Sequence, residues 1–176
     1  MARSLTISNV LFRGFVNDDY FIQLSGFDEI YMSDLIFGFG VYPPVLSNSF
    51  LVKISEIHGT VQFDEILVTG IPTPFLSVNN ITQLKIINSH FEELGNLGPY
   101  IMHLEDLGSV EFVNNTIKLL GRWGTFLTIK KASNLSIFDS SFENIKLQTL
   151  SLNRCSDIYI ENTTFQKAEF PLSVHD

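Results

Sequence analysis

Residues 134–145 read Asn-Leu-Ser-Ile-Phe-Asp-Ser-Ser-Phe-Glu-Asn-Ile, and residues 157–166 read Asp-Ile-Tyr-Ile-Glu-Asn-Thr-Thr-Phe-Gln. Both stretches carry an apolar residue followed by others two and seven positions later: Leu135/Ile137/Phe142 in the first and Ile158/Ile160/Phe165 in the second. Upstream the same frame recurs as Leu5/Ile7/Phe12, Ile30/Met32/Phe37, Val61/Phe63/Val68, Leu84/Ile86/Phe91 and Val110/Phe112/Ile117. Successive starts lie 23 to 31 residues apart, which is a solenoid period; the longest interval holds an insertion at about 38–50, around Pro43-Pro44.

A second alternating pair stands eight and six residues before the next start: Ile22/Leu24, Leu76/Val78, Met102/Leu104, Leu127/Ile129 and Leu150/Leu152. Leu172/Val174 begins the last one, and the insertion shifts its own copy to Val52/Ile54. Alternation at every second residue marks an extended strand with one buried face, so each repeat has at least two strands and no convincing helix. Phe27, Ile81, Leu107, Ala132 and Cys155, three residues before their starts, complete the buried set, with Ile57 or His58 in the shifted coil. Stacking such units lays each strand about 4.8 Å from its copy in the next coil and fills the interior with columns of like side chains.

The two quoted stretches resemble the repeats of the pectin-lyase-like superfamily. That resemblance implies an all-β chain wound as a right-handed parallel β-helix; the seven copies of the frame count about seven coils, and the length is that of one domain over residues 1–176. The resemblance extends over essentially the whole chain but lies in a coil pattern shared by enzymes, adhesins, phage spikes and structural proteins, so it implies a fold and no activity. A leucine-rich repeat is the competing architecture, because Leu107, Val110, Phe112, Asn115 and Ile117 also fit its spacing. Against it, the second half of each repeat alternates as a strand where that family has a helix or an irregular segment.

Four residues after each start come Asn9, Asp34, Glu65, Asn88, Asn114, Asp139 and Asn162, a polar column expected to turn the chain. Glu105 and Asp106 are expected beside Lys130 and Lys131, with Arg154 beyond, as solvated rungs. Two apolar surfaces are candidate protein interfaces. Ile87, Val113 and Phe138 occupy an outward position that is polar in most coils, and the pairs Val10-Leu11, Leu35-Ile36 and Ile66-Leu67 stand where later coils carry Ser, Thr, Asn and His. Of the four Asn-x-Ser/Thr sequons, Asn80 and Asn134 are the glycosylation candidates, expected in loops, whereas Asn114 and Asn162 are expected to be poorly accessible in the turn column.

The rest of the sequence argues mainly by what it disfavours. A formal charge of −8 disfavours nucleic acid and anionic membranes as partners, and no stretch is long and apolar enough to span a bilayer. One cysteine permits no internal disulfide, and the four histidines show no metal-site spacing, so no metal or cofactor is expected. Cys155 falls in a core column rather than beside a base. The outward acids Asp64, Glu111 and Glu161 are too far apart for a pair of catalytic carboxyls, and no catalytic residue is assigned. Loop candidates are Asp18-Asp19, Glu92-Glu93 and Gly121-Arg122-Trp123-Gly124, where Trp123 would stack on a sugar if the chain bound carbohydrate. The expectation is a non-enzymatic scaffold or adhesive segment, extracellular or on a cell surface, stacking at its ends on other chains or on further coils of its own. A carbohydrate-binding or polysaccharide-cleaving solenoid is the alternative.

Overall fold

In the computed structural model, residues 3–13, 20–38, 50–71, 74–92, 94, 100–118, 125–145, 148–168 and 170–175 are described. Described residues form strands and turns only, and every strand pairing is parallel. The frame predicted from sequence is the one observed. Leu5 pairs with Ile30, Ile30 with Val61, Val61 with Leu84, Leu84 with Val110, Val110 with Leu135 and Leu135 with Ile158, in single file. The chain is therefore a parallel β-solenoid, and strand-only repeats exclude the leucine-rich alternative. It makes about five turns rather than the seven coils counted from the frame.

Each level has three faces, within the reading of at least two strands per repeat. The first carries the frame's initial alternating residues. The second consists of short strands such as Leu67–Thr69, His90–Glu92, Thr116–Lys118 and Ser141–Glu143, stacked on one another. The third carries the second alternating pair and runs directly into the first face of the next level. Phe50–Asp64, Leu76–Ile87, Tyr100–Val113 and Thr125–Phe138 are accordingly single long strands, bent at a corner.

Corners are made by residues in the left-handed region. Asn9, Asp34, Glu65, Asn88, Asn114, Asp139 and Asn162 all have φ between 50° and 55°. A second file, Gly26, Glu56, Asn80, Asp106, Lys131 and Arg154, turns the long strands, and Gly70, Asn144 and Lys167 turn the chain after the short ones. Asn, Asp and Gly adopt this conformation at little steric cost, which explains the composition of the first file. Another corner needs glycine for space: a Cβ on Gly108 would lie 2.5 Å from the Thr82 carbonyl oxygen one level below. The shifted coil is reconciled by a bulge, Ile57 pairing with Ile81 but Thr60 with Gln83, so Ile57 is the core residue and His58 is exposed.

Sequence reading missed a further core file: Leu51, Phe75, Ile101, Phe126 and Thr149, each directly before an inward residue. Phe75 and Phe126 interleave with Phe37, Phe91 and Phe142 of the frame in an edge-to-face zigzag, with centroid separations of 5.3 to 5.9 Å. Such contacts add about 0.5–1.5 kcal/mol per pair beyond area burial, so this zigzag helps tie neighbouring levels together. Thr149 fills the same file with a hydroxyl that is fully buried and has no partner among the described residues. Thr149→Val should therefore raise stability by about 1 kcal/mol in chemical denaturation; a loss of that size would show that the hydroxyl is bonded.

Candidate functional site

A left-handed corner resets the inside-outside alternation. After the αL residue at the fourth position of the frame, the fifth and seventh residues point inward and the sixth outward. This corrects two of the proposed interface residues: Leu35 and Ile66 are 0% and 2% exposed and belong to the core, while Val10 is half-buried and packs against it. The inward file continues as Ser89, Asn115, Ser140 and Thr163, whose polar groups bond backbone. Asn115 donates through Nδ2 to the Ile86 carbonyl at 2.8 Å and accepts the Ser89 N–H at Oδ1, 2.9 Å, while Ser140 and Ser89 donate to the carbonyls of Phe138 and Ile87. Three apolar levels and four polar ones thus share one buried column.

The outward apolar strip on this face is made instead by Leu11, Ile36 and Leu67, of which Leu11 and Ile36 are 47% and 40% exposed. With Asn9, Val10, Asp34 and Glu65 they line an open groove of about 500 Å³. Glu65 takes up its proton at higher pH than an ordinary glutamate, first because of a hydrogen bond with Asp34 and then because of repulsion from that carboxylate.

On the first face, Ile87, Val113 and Phe138 stand in consecutive register, between Asp64 below and Glu161 above. All three are half-buried rather than open. One edge is an ion pair, Lys85 Nζ to Glu111 Oε2 at 3.2 Å. The other is an amide ladder in which Asn114 Nδ2 donates to Asn88 Oδ1 at 2.8 Å and Asn88 Nδ2 to Asp64 Oδ1 at 3.0 Å. Asp64 also accepts from the Tyr31 hydroxyl at 3.4 Å. Asp64 and Glu111 are thus engaged with neighbours, and sheet spacing keeps them about 12 Å apart.

At the corner turned by Asn80, Asp106 and Lys131, a polar groove of about 670 Å³ is lined by Asn79, Asn80, Thr82, Lys131 and Ser133 among others. The Lys131 ammonium pairs with Asp106 as the register foretold, and Lys130 stands beside Glu105, whose carboxylate Oε2 lies 3.4 Å from His103 Nε2. His103 stacks on Tyr100 at 4.7 Å, and burial holds its pKa below the usual histidine range. Cys155 is half-buried at the last level rather than fully enclosed, near the Asn153 carbonyl; burial pushes its thiol up, which disfavours a nucleophilic thiolate.

Both glycosylation candidates lie within strands, not loops: Asn80 is exposed at its bend, and Asn134 is half-buried and accepts from the Ser136 hydroxyl at 3.2 Å. Asn114 and Asn162, expected to be hidden, are exposed. Trp123, the whole of Gly121–Gly124, Asp18-Asp19 and Glu93 lie outside the described residues.

Fold and surfaces together define a parallel β-solenoid with polar corners and two apolar outer strips. No family model matches the chain, and no curated protein or solved structure shows significant similarity to it.

The Asp34/Glu65 pair has a pH signature. A carboxyl whose folded pKa is raised binds its proton more tightly in the folded state, so stability falls as pH rises through and above the carboxylate range. Glu65→Gln should melt higher than the parent at pH 7, with the gap closing as pH falls through that range. A gap independent of pH would remove the repulsion from the explanation.

Proposed function

We propose that the chain is a non-enzymatic structural solenoid: a rigid segment that presents side-chain columns to other protein chains in a larger extracellular or cell-surface assembly, such as an adhesin or filament. On coil pattern, the proposal also groups it with the pectin-lyase-like β-helices. The observation that carries the reading is the file Ile87–Val113–Phe138. Three apolar side chains on successive levels of an outward face, rimmed by an ion pair and an amide ladder, form the apolar centre and polar rim that protein partners use. Rigidity supports the same reading, since each inner strand is bonded on both sides and a column of residues keeps fixed spacing along the rod.

A second reading rests on the polar groove at the Asn80/Asp106/Lys131 corner. Its amides, hydroxyls and charged pair suit the hydroxyls of a carbohydrate, which makes a sugar-binding role the alternative.

A photoreactive side chain at position 113, in cells that express the protein, tests the first reading. It should give a discrete protein adduct that the same group at Ser77, on the third face, does not. In parallel, Val113→Lys should leave folding stability within about 0.5 kcal/mol, as surface substitutions do, while abolishing that partner. Loss of folding would make the column core, and an absent adduct together with saturable oligosaccharide binding would favour the alternative.

A further inference from the structure

Among the four sequons, Asn80 combines an open amide with a groove at its side. Resting on the extracellular placement proposed above, we propose that Asn80 carries an N-linked glycan whose first sugars lie in the polar groove at the Asn80/Asp106/Lys131 corner.

Asn80 stands at the bend of the strand Leu76–Ile87 with φ 55°, exposed, and its side chain makes no hydrogen bond among the described residues. Two residues on, Thr82 supplies the hydroxyl that an acceptor sequence needs. In the folded chain that hydroxyl donates to the His58 carbonyl at 2.8 Å, so transfer belongs to the chain before its levels stack, and the fold has only to accommodate the product. In that step Asn80 Nδ2 attacks the anomeric carbon of an oligosaccharide carried on a lipid pyrophosphate. A C–N bond forms, the bond from that carbon to the pyrophosphate oxygen breaks, Nδ2 loses one proton and the lipid pyrophosphate leaves.

The groove's floor is low because Thr82, Gly108 and Ser133 occupy successive levels, and a Cβ on Gly108 would lie only 2.5 Å from the Thr82 carbonyl oxygen, so no side chain rises there. Asn79, Ser133 and the Asp106–Lys131 pair line it with amide, hydroxyl and charged groups suited to sugar hydroxyls. Its volume of about 670 Å³ falls within the ~300–1,000 Å³ of sites that hold small organic ligands, enough for the first sugars while the rest of the glycan extends into water. The other sequons fit less well. Asn114 Nδ2, the atom that would carry the sugar, donates to Asn88 at 2.8 Å, and Asn134 is half-buried and accepts from Ser136. Asn114 and Asn162 also stand beside the file of Val113 and Glu161, where a glycan would cover the apolar strip. Asn80 turns the opposite corner of the first face, so its glycan leaves Ile87, Val113 and Phe138 open to a partner. A groove filled by the chain's own sugar is closed to a free oligosaccharide, which favours the scaffold reading over the sugar-binding one.

The protein recovered from cells that express it, fractionated into secreted, surface and cytosolic pools, gives the test. Treatment with a peptide N-glycosidase in heavy-oxygen water should leave a labelled aspartate at position 80. Asn80→Gly should remove that glycan's mass and still fold, since Gly26 holds the same corner file at φ 73°. Ser133→Trp crowds the groove without touching the sequon, so the glycan should stay attached but be released from the folded protein severalfold faster; Asn79→Trp serves if that variant misfolds. An unlabelled position 80 in the secreted or surface pool, or a label at 114 or 134 in its place, overturns the proposal while the extracellular placement stands. A chain found only in the cytosolic pool with a bare Asn80 defeats both. A label at position 80 whose release neither tryptophan variant changes overturns the seating of the sugars in the groove.

Discussion

The structure depends on one constraint: like residues must lie directly above one another, level after level, at the spacing of hydrogen-bonded strands. Left-handed corners enforce it. Because a residue with positive φ turns the chain and resets which side chains face inward, one misplaced corner would shift the following strand by a residue and turn its apolar set to solvent. Asn9 through Asn162 hold this conformation at every level, and the chain uses Asn or Asp at all of them except Glu65. That exception is also where two carboxyls crowd, a local cost the stack tolerates because its core contacts are far larger.

Inside the stack, two ladders divide the work. The Phe37–Phe75–Phe91–Phe126–Phe142 zigzag supplies apolar contact between levels. The Ser89–Asn115–Ser140–Thr163 file supplies hydrogen bonds where the second face meets the first. A buried amide is expensive unless satisfied, and Asn115 is satisfied by the backbone of Ile86 and Ser89 on the level below, so it favours the register it occupies and penalises any slip. Surface ion pairs such as Lys85–Glu111 and Asp106–Lys131 contribute little by comparison, being exposed to water and salt.

Register was legible from residues 134–145 because the frame is rigid: Leu135, Ile137 and Phe142 each find their predicted partners above and below. Two things were hidden, and one of them comes from a corner. Period-two reasoning assumes strict alternation, so it passed over Phe75 and Phe126, which point inward immediately before other inward residues. It also could not tell which member of Leu35-Ile36 faces the core, since Asp34 had reset the phase. The signal was present in the Asn/Asp column itself, whose preference for positive φ marks where alternation must be restarted. The apolar file Ile87, Val113 and Phe138 was legible as an outward column, but its half-buried state was not, because that depends on side chains of adjacent columns closing around it.

Pairwise cysteine oxidation in a Cys155→Ser background tests the stack most directly. Register places residue 85 against residue 111 and two positions away from residue 113. Neighbouring strands bring facing Cα atoms to about 4.8 Å, within disulfide reach, while the offset pair is about 8 Å apart. The account predicts rapid, near-complete disulfide formation for Lys85→Cys with Glu111→Cys and little for Lys85→Cys with Val113→Cys. Equal oxidation of both pairs, or of neither, would contradict the stacking on which every surface described above depends.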